Sequence, residues 1–210
     1  MFSLSGQKLE KGSTMTSDQF EIGNLFRIVK PGLPAPEDRR IKLIIDKGAF
    51  GSGEHETTAS CLEMMERMPE IKGSRLLDLG SGTGILAIGA LKLGADDAVC
   101  VDISPDAIRT CEHNCALNDL RTRVRLVTGT LASLKGEVFD LVVANIYGDL
   151  LLDLADQLVA GVRSGGHLLL SGILWEYNFD VRQAYQRLGC ELVENRMLQE
   201  FSTLRLKRGN

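Results

Sequence analysis

Two aspartates and three alternating glycines are the residues whose types and spacing carry chemistry in this chain. Asp78 is followed by Gly80, Gly82 and Gly84, and Asp102 closes the next apolar run. Glycines at alternate positions permit a tight turn and let a ligand approach the backbone. An acid at the end of the following strand stands where a ribose diol would lie, so the pattern suits a nucleoside. Two classes of nucleoside cofactor differ in charge here. A dinucleotide brings a pyrophosphate, which needs free amides and a helix N-terminus. S-adenosylmethionine has no phosphate and presents an ammonium group that Asp78 can help bind, so an acid directly before the glycines favours the sulfonium cofactor.

These residues need a sheet to hold them. The run Arg75 to Leu79 predicts a strand, Ile85 to Leu93 a helix apolar almost all round, and Ala98 to Ile103 a second strand. Ser104 caps a further helix with Pro105 at its first position, and Ala107, Ile108, Cys111 and Cys115 form its buried stripe. Strands follow at Val124 to Thr128, Val138 to Asn145 and His167 to Ser171, with helices at Leu150 to Ala160 and Asp180 to Leu188. That alternation demands a parallel sheet. The runs Cys190 to Arg196 and Phe201 to Lys207 are too close for a crossover helix and predict an antiparallel hairpin. The expected fold is α/β, doubly wound, with a seven-stranded, mostly parallel sheet and an antiparallel last strand.

Upstream, Glu56 to Met68 predicts a helix that Pro69 stops. Phe20 to Lys30 and Ile41 to Asp46 read as strands around a proline-rich loop. Three segments are therefore expected: residues 1–18 as a polar tail without fixed structure, 19–55 as a small β appendage with a glycine-rich loop, and 56–210 as the main domain.

Composition narrows the partners. A formal net charge of -4 over 210 residues argues against binding nucleic acid mainly by phosphate neutralisation. Arg121, Arg123 and Arg125 form either a local basic patch or a solvated face. No apolar run approaches membrane-spanning or secretory length, so a soluble, cytoplasmic protein is expected. The five cysteines are odd in number and lie in apolar patterns, which predicts reduced, buried thiols. Cys111 and Cys115 lie one turn apart with His113 between them, but His113 falls off their face and a fourth ligand is missing, so no metal is expected.

Two further motifs complete the pattern. GAFGSGEHETT, residues 48–58, brings Phe50, a flat apolar surface, and the hydroxyls of Thr57 and Thr58 close to a helix start; it is either a loop over a ligand or a connector. VVANIYG, residues 142–148, ends a strand at Asn145, whose carbonyl oxygen can hold an amine without adding charge, or which simply starts a turn. His55 is a proton acceptor or a shaper of its loop.

Together with DLGSGTGILAIGALKLGA and SGIL, residues 171–174, these motifs resemble the PrmA family, the bacterial methyltransferases of large-subunit ribosomal protein eleven. The resemblance implies the class I, Rossmann-like form of the fold and S-adenosyl-L-methionine as cofactor. It implies that Thr58, Gly80, Asp102 and Asn145 contact that cofactor, that Phe50 covers its methyl-bearing end, and that Thr130 and Leu131 lie near the adenine. Gly82, Gly84 and Asp78 belong to the same cradle. Two departures are expected: the family's N-terminal recognition domain has no counterpart in these 210 residues, and Tyr147 follows the Asn-Ile pair where the family usually has an aliphatic residue.

The expected activity is N-methylation of a protein amine, ribosomal or other, with Asn145 and Tyr147 orienting the acceptor nitrogen. In-line displacement at a sulfonium asks mainly for positioning, so the lack of a nucleophilic triad is no objection. A small-molecule or RNA acceptor keeps the same chemistry, and a non-catalytic cofactor-binding module keeps the same cradle. A nicotinamide-dependent dehydrogenase is opposed by the glycine spacing and the terminal hairpin.

Overall fold

The structure, a computed structural model, describes residues 19–34, 36–46, 53–134 and 136–210. The first eighteen residues lie outside it, as do residues 47–52, which include Gly48, Phe50, Gly51 and Ser52.

Three short strands open the described chain. β1 (Gln19–Ile22) pairs antiparallel with β2 (Phe26–Val29), which pairs parallel with β3 (Ile41–Ile44). The turn between β1 and β2 is pinned from the main body. The Glu66 carboxylate accepts the backbone N–H of Asn24 at 3.0 Å and of Leu25 at 2.7 Å.

The main body alternates helix and strand as its apolar pattern requires. In chain order it holds α1 (Glu56–Met65), β4 (Arg75–Leu79), α2 (Ile85–Lys92), β5 (Asp97–Asp102), α3 (Pro105–Leu117) and β6 (Val124–Thr128). Then come β7 (Phe139–Asn145), α4 (Gly148–Asp153), α5 (Ala155–Ala160), β8 (Val162–Leu174), α6 (Trp175–Arg187), β9 (Cys190–Met197) and β10 (Phe201–Arg208). The seven-stranded sheet has the order β6-β5-β4-β7-β8-β10-β9. β10 runs antiparallel to both neighbours, so the hairpin folds its last strand inward, between β8 and β9. The strand order reverses between β4 and β5 on one side and β7 on the other, which is where open α/β sheets bind ligands.

Each face of the sheet has its own core. One joins α1, α2 and α3 to the small sheet through Phe26, Leu43, Leu62 and Ile88; the other joins α4, α5 and α6 through Leu151, Leu158, Val181 and Tyr185. α2 is buried along seven of its eight residues, which explains its apolar composition all round.

Several element boundaries differ from the sequence expectation: Phe20 to Lys30 is two strands around a turn, and the helix from Glu56 ends at Met65, ahead of Met68. The helix expected over Leu150 to Ala160 starts at Gly148 and breaks at Leu154 into α4 and α5. α6 starts at Trp175, five residues before Asp180, because Trp175 and Phe179 are exposed and its buried stripe begins only at Asn178 and Val181. β8 starts at Val162, ahead of His167, since Arg163, Ser164 and two glycines hide the strand in the sequence; a Cβ at Gly166 would lie 2.8 Å from the Asp140 carbonyl oxygen.

Candidate functional site

The glycine turn follows β4 directly. The N–H groups of Gly80 and Ser81 both donate to the Val101 carbonyl, at 2.8 and 3.1 Å, folding the loop over the end of β5. Gly80 and Gly84 have φ of 71° and 78°, a region that side chains resist. Space is also lacking: an added Cβ would lie 2.6 Å from Ile146 Cγ2 at Gly80 and 2.5 Å from Cys111 Sγ at Gly84. Gly82 completes the turn and points its N–H at Asp102 Oδ2, 3.0 Å away.

Asp102 ends β5 with both carboxylate oxygens oriented. Oδ2 accepts from Gly82, and Oδ1 accepts the Ser104 N–H at 2.9 Å, at the cap of α3. Each oxygen keeps a lone pair for a second donor, and the group is only half-buried. Such a carboxylate can take a vicinal diol.

Asp78 is placed differently. It is 1% exposed, under the glycine loop, and its Oδ2 accepts the Ala87 N–H in the first turn of α2 at 3.1 Å. Burial pushes its carboxyl up to about 7, against the pull of that N–H and with a further push from the Asp102 charge.

Asn145 ends β7 opposite Ser171 of β8. Its Nδ2 donates to Thr58 Oγ1 at 3.2 Å, which joins two sequence-predicted residues lying far apart in the chain. Gly172 packs directly against this strand end, where a Cβ would fall 2.5 Å from the Ile146 carbonyl oxygen and 3.3 Å from Asn145 Oδ1. Tyr147 is 68% exposed at the start of α4. Thr130 is exposed after β6, and the Gly129 N–H ties that loop to the Asp102 carbonyl at 2.9 Å. Leu131 packs on the core and lines a cavity of about 250 Å³ with Leu77, Leu134, Phe139 and Leu158.

His55 caps α1. Its Nδ1 lies 2.8 Å from the Thr57 hydroxyl and 3.4 Å from the Thr57 backbone nitrogen, and the ring meets Phe201 edge-on with centroids 5.2 Å apart. A nitrogen already engaged by Thr57 shapes the helix start. Phe50 lies outside the described residues.

Arginine charges are matched locally: Arg121 bonds Glu112, Arg125 bonds Glu137, and Arg123 donates to the backbone carbonyls of Ala95 and Asp96. His113 pairs with Asp46 at 3.4 Å and is exposed, turned away from buried Cys111 and Cys115. No helix among the described residues is long and apolar enough to cross a membrane.

Two residues escaped sequence reasoning. Ile103, directly after Asp102, is 77% exposed although it reads as the last residue of an apolar strand. Asn114 is fully buried on α3 and bonds the glycine loop; its signal was a polar residue inside an apolar stripe.

Comparison with known proteins agrees with this geometry. The family model described as ribosomal protein L11 methyltransferase (PrmA) matches residues 14–209. A ribosomal protein L11 methyltransferase of Geobacter sulfurreducens is 45% identical over 83% of this chain and 56% of its own length. One from Pelobacter propionicus is 43% identical over 83% and 57%. The chain thus spans a little over half the length of these relatives. A crystal structure of a ribosomal protein L11 methylase from Lactobacillus delbrueckii subsp. bulgaricus superposes with a TM-score of 0.82 at 30% identity, covering 92% of this chain and 98% of that one. A putative RNA methyltransferase from Pyrococcus horikoshii, 17% identical with a TM-score of 0.64, shares the fold. With its strand order, glycine turn and an acid at the end of β5 in place, the chain carries the class I S-adenosylmethionine-dependent methyltransferase fold and belongs to the ribosomal protein L11 methyltransferase (PrmA) family.

Proposed function

We propose that this chain transfers a methyl group from S-adenosyl-L-methionine to an amine of a protein, with a ribosomal protein in the cytoplasm as substrate. The observation that carries the reading is the shared edge of the sheet. Asp102, aimed by Gly82 and Ser104, and Asn145, aimed by Thr58, close adjacent sides of the strand-order reversal.

The residues present fit the cofactor. Gly80 and Gly84 hold a turn packed so closely on Ile146 and Cys111 that no Cβ fits, which keeps the backbone of the loop bare for a ligand, and Asp102 supplies acceptors for two hydroxyls. Ile103 offers an exposed apolar surface beside Asp102, suited to adenine, with Thr130 at the rim. Asp78, ionised, places negative charge beneath the loop for the ammonium group, and Phe50 would close the methyl-bearing end. When bound, the cofactor supplies an electrophilic methyl on a sulfonium. The protein's part is then positioning: the Asn145 carbonyl oxygen accepts from the acceptor nitrogen, while exposed Tyr147 borders its approach. A lysine must arrive deprotonated, which an apolar surround favours by lowering its pKa. Two of the three arginines between residues 121 and 125 are paired with carboxylates, which counts against a basic patch for RNA there.

Calorimetric titration tests the cofactor. S-adenosylhomocysteine should bind and NAD should not, and Asp102→Ala should weaken that binding by about 1.5–3 kcal/mol through lost charge-assisted hydrogen bonds. Binding of NAD alone rejects the reading. Labelled cofactor with fractionated cell extract should then mark protein; label confined to RNA or small molecules would replace the acceptor.

A further inference from the structure

Asn114 is fully buried on the inner side of α3, and its amide is completely used. Oδ1 accepts the Asp46 N–H at 2.8 Å. Nδ2 donates to the Asp46 carbonyl at 3.3 Å and to the Thr83 carbonyl at 2.9 Å. One turn later Asn118 repeats the backbone pairing: Oδ1 accepts from Ile44 N–H at 3.0 Å and Nδ2 donates to the Ile44 carbonyl at 2.7 Å. Residues 44 and 46 present their backbone groups in the same direction, as alternate residues of a strand do. The two amides therefore act as a short surrogate strand along the free edge of β3. They differ in one bond. Asn118 spends its spare N–H on the Asn114 carbonyl of its own helix, whereas Asn114 reaches Thr83, between Gly82 and Gly84.

That difference separates holding the small sheet from holding the cofactor loop. We infer that Asn114 is a positioning residue for cofactor binding, its amide fixing the glycine turn at Thr83 to the end of β3 at Asp46. The inference rests on the proposed cofactor reading. Gly82 is the hinge of the argument: its N–H aims the Asp102 carboxylate, and the next residue in the chain is the one Asn114 restrains. If Thr83 shifts, the Gly82 N–H leaves Asp102 and the diol acceptors lose their orientation.

Matched variants test this on the full chain. Asn114→Ser and Asn118→Ser each remove a paired backbone contact of β3 and should lower the melting temperature alike. Only Asn114→Ser should weaken S-adenosylhomocysteine binding, by tenfold or more in calorimetry, and raise the cofactor KM more than it lowers kcat. Equal affinities in the two variants, or equal losses, overturn the assignment. If Asn114→Ser does not fold, hydrogen exchange on the unaltered protein decides. S-adenosylhomocysteine should slow exchange of the Asp46 N–H, held by Asn114, more than that of the Ile44 N–H, held by Asn118, and equal slowing overturns the assignment. Absence of S-adenosylhomocysteine binding to the unaltered protein removes the cofactor reading itself, a distinct result.

Discussion

At the scale of single residues the site holds two carboxylates in contrasting surroundings. Asp102 is half-exposed and accepts from two backbone N–H groups, while Asp78 is buried and accepts the Ala87 N–H. An acid whose carboxyl is raised in the folded state holds its proton more tightly folded than unfolded. The contribution of Asp78 to folded stability is then greatest below about pH 4, falls as pH rises toward about 7, and levels above that. Asp78→Asn keeps an acceptor for the Ala87 N–H and removes the charge. Thermal melts should show a flatter pH profile and a higher melting temperature at pH 8 for the variant. The same change should weaken cofactor binding at pH 8, because the carboxylate that burial penalises is the group we propose to attract the ammonium. A variant less stable than its parent at pH 8 would show that Asp78 is stabilising as an ion.

At the scale of elements, the glycine turn is built against α3 as much as against the ligand. Gly84→Ala introduces a left-handed alanine and a Cβ 2.5 Å from Cys111 Sγ, together costing about 2–4 kcal/mol. Removing the sulfur with Cys111→Ala should recover the steric part and leave the backbone part. A denaturant double-mutant cycle measures that coupling, and strict additivity would show that the clash is relieved elsewhere. The same contact explains what could be read beforehand. β4, β5, β6 and β7 were legible because each is a short run rich in apolar and β-branched residues, and Gly80, Asp102 and Asn145 could be marked from residue type and strand end. The first half of β8 was hidden by its glycines and the first turn of α6 by exposed aromatics. Ile103 and Asn114 were hidden for another reason. Ile103 is apolar in type yet exposed, and Asn114, a polar residue inside an apolar stripe, bonds Asp46 and Thr83, which are remote in the chain.

At the scale of the whole molecule, we propose that the three-stranded sheet and the main body fold as one unit, not as appendage and domain. Phe26 and Leu43 are fully buried in the core that α1 and α2 share, and Gly89 of α2 leaves room there for Leu62, whose Cδ2 a Cβ would meet at 2.6 Å. Glu66 grips the β1–β2 turn, and Asn114 and Asn118 grip the edge of β3. Phe26→Ala should therefore cost about 3–5 kcal/mol, the cavity penalty of a buried aromatic, and should spread that cost over the whole chain. The sole tryptophan, Trp175, offers a distant reporter: it sits on α6, on the opposite face of the sheet from Phe26. In urea, tryptophan fluorescence and far-ultraviolet circular dichroism should move to lower midpoints together in Phe26→Ala. A Trp175 transition left at its original midpoint while part of the ellipticity is lost earlier would mean that the small sheet unfolds on its own. Cofactor binding would then no longer depend on the integrity of β1 to β3.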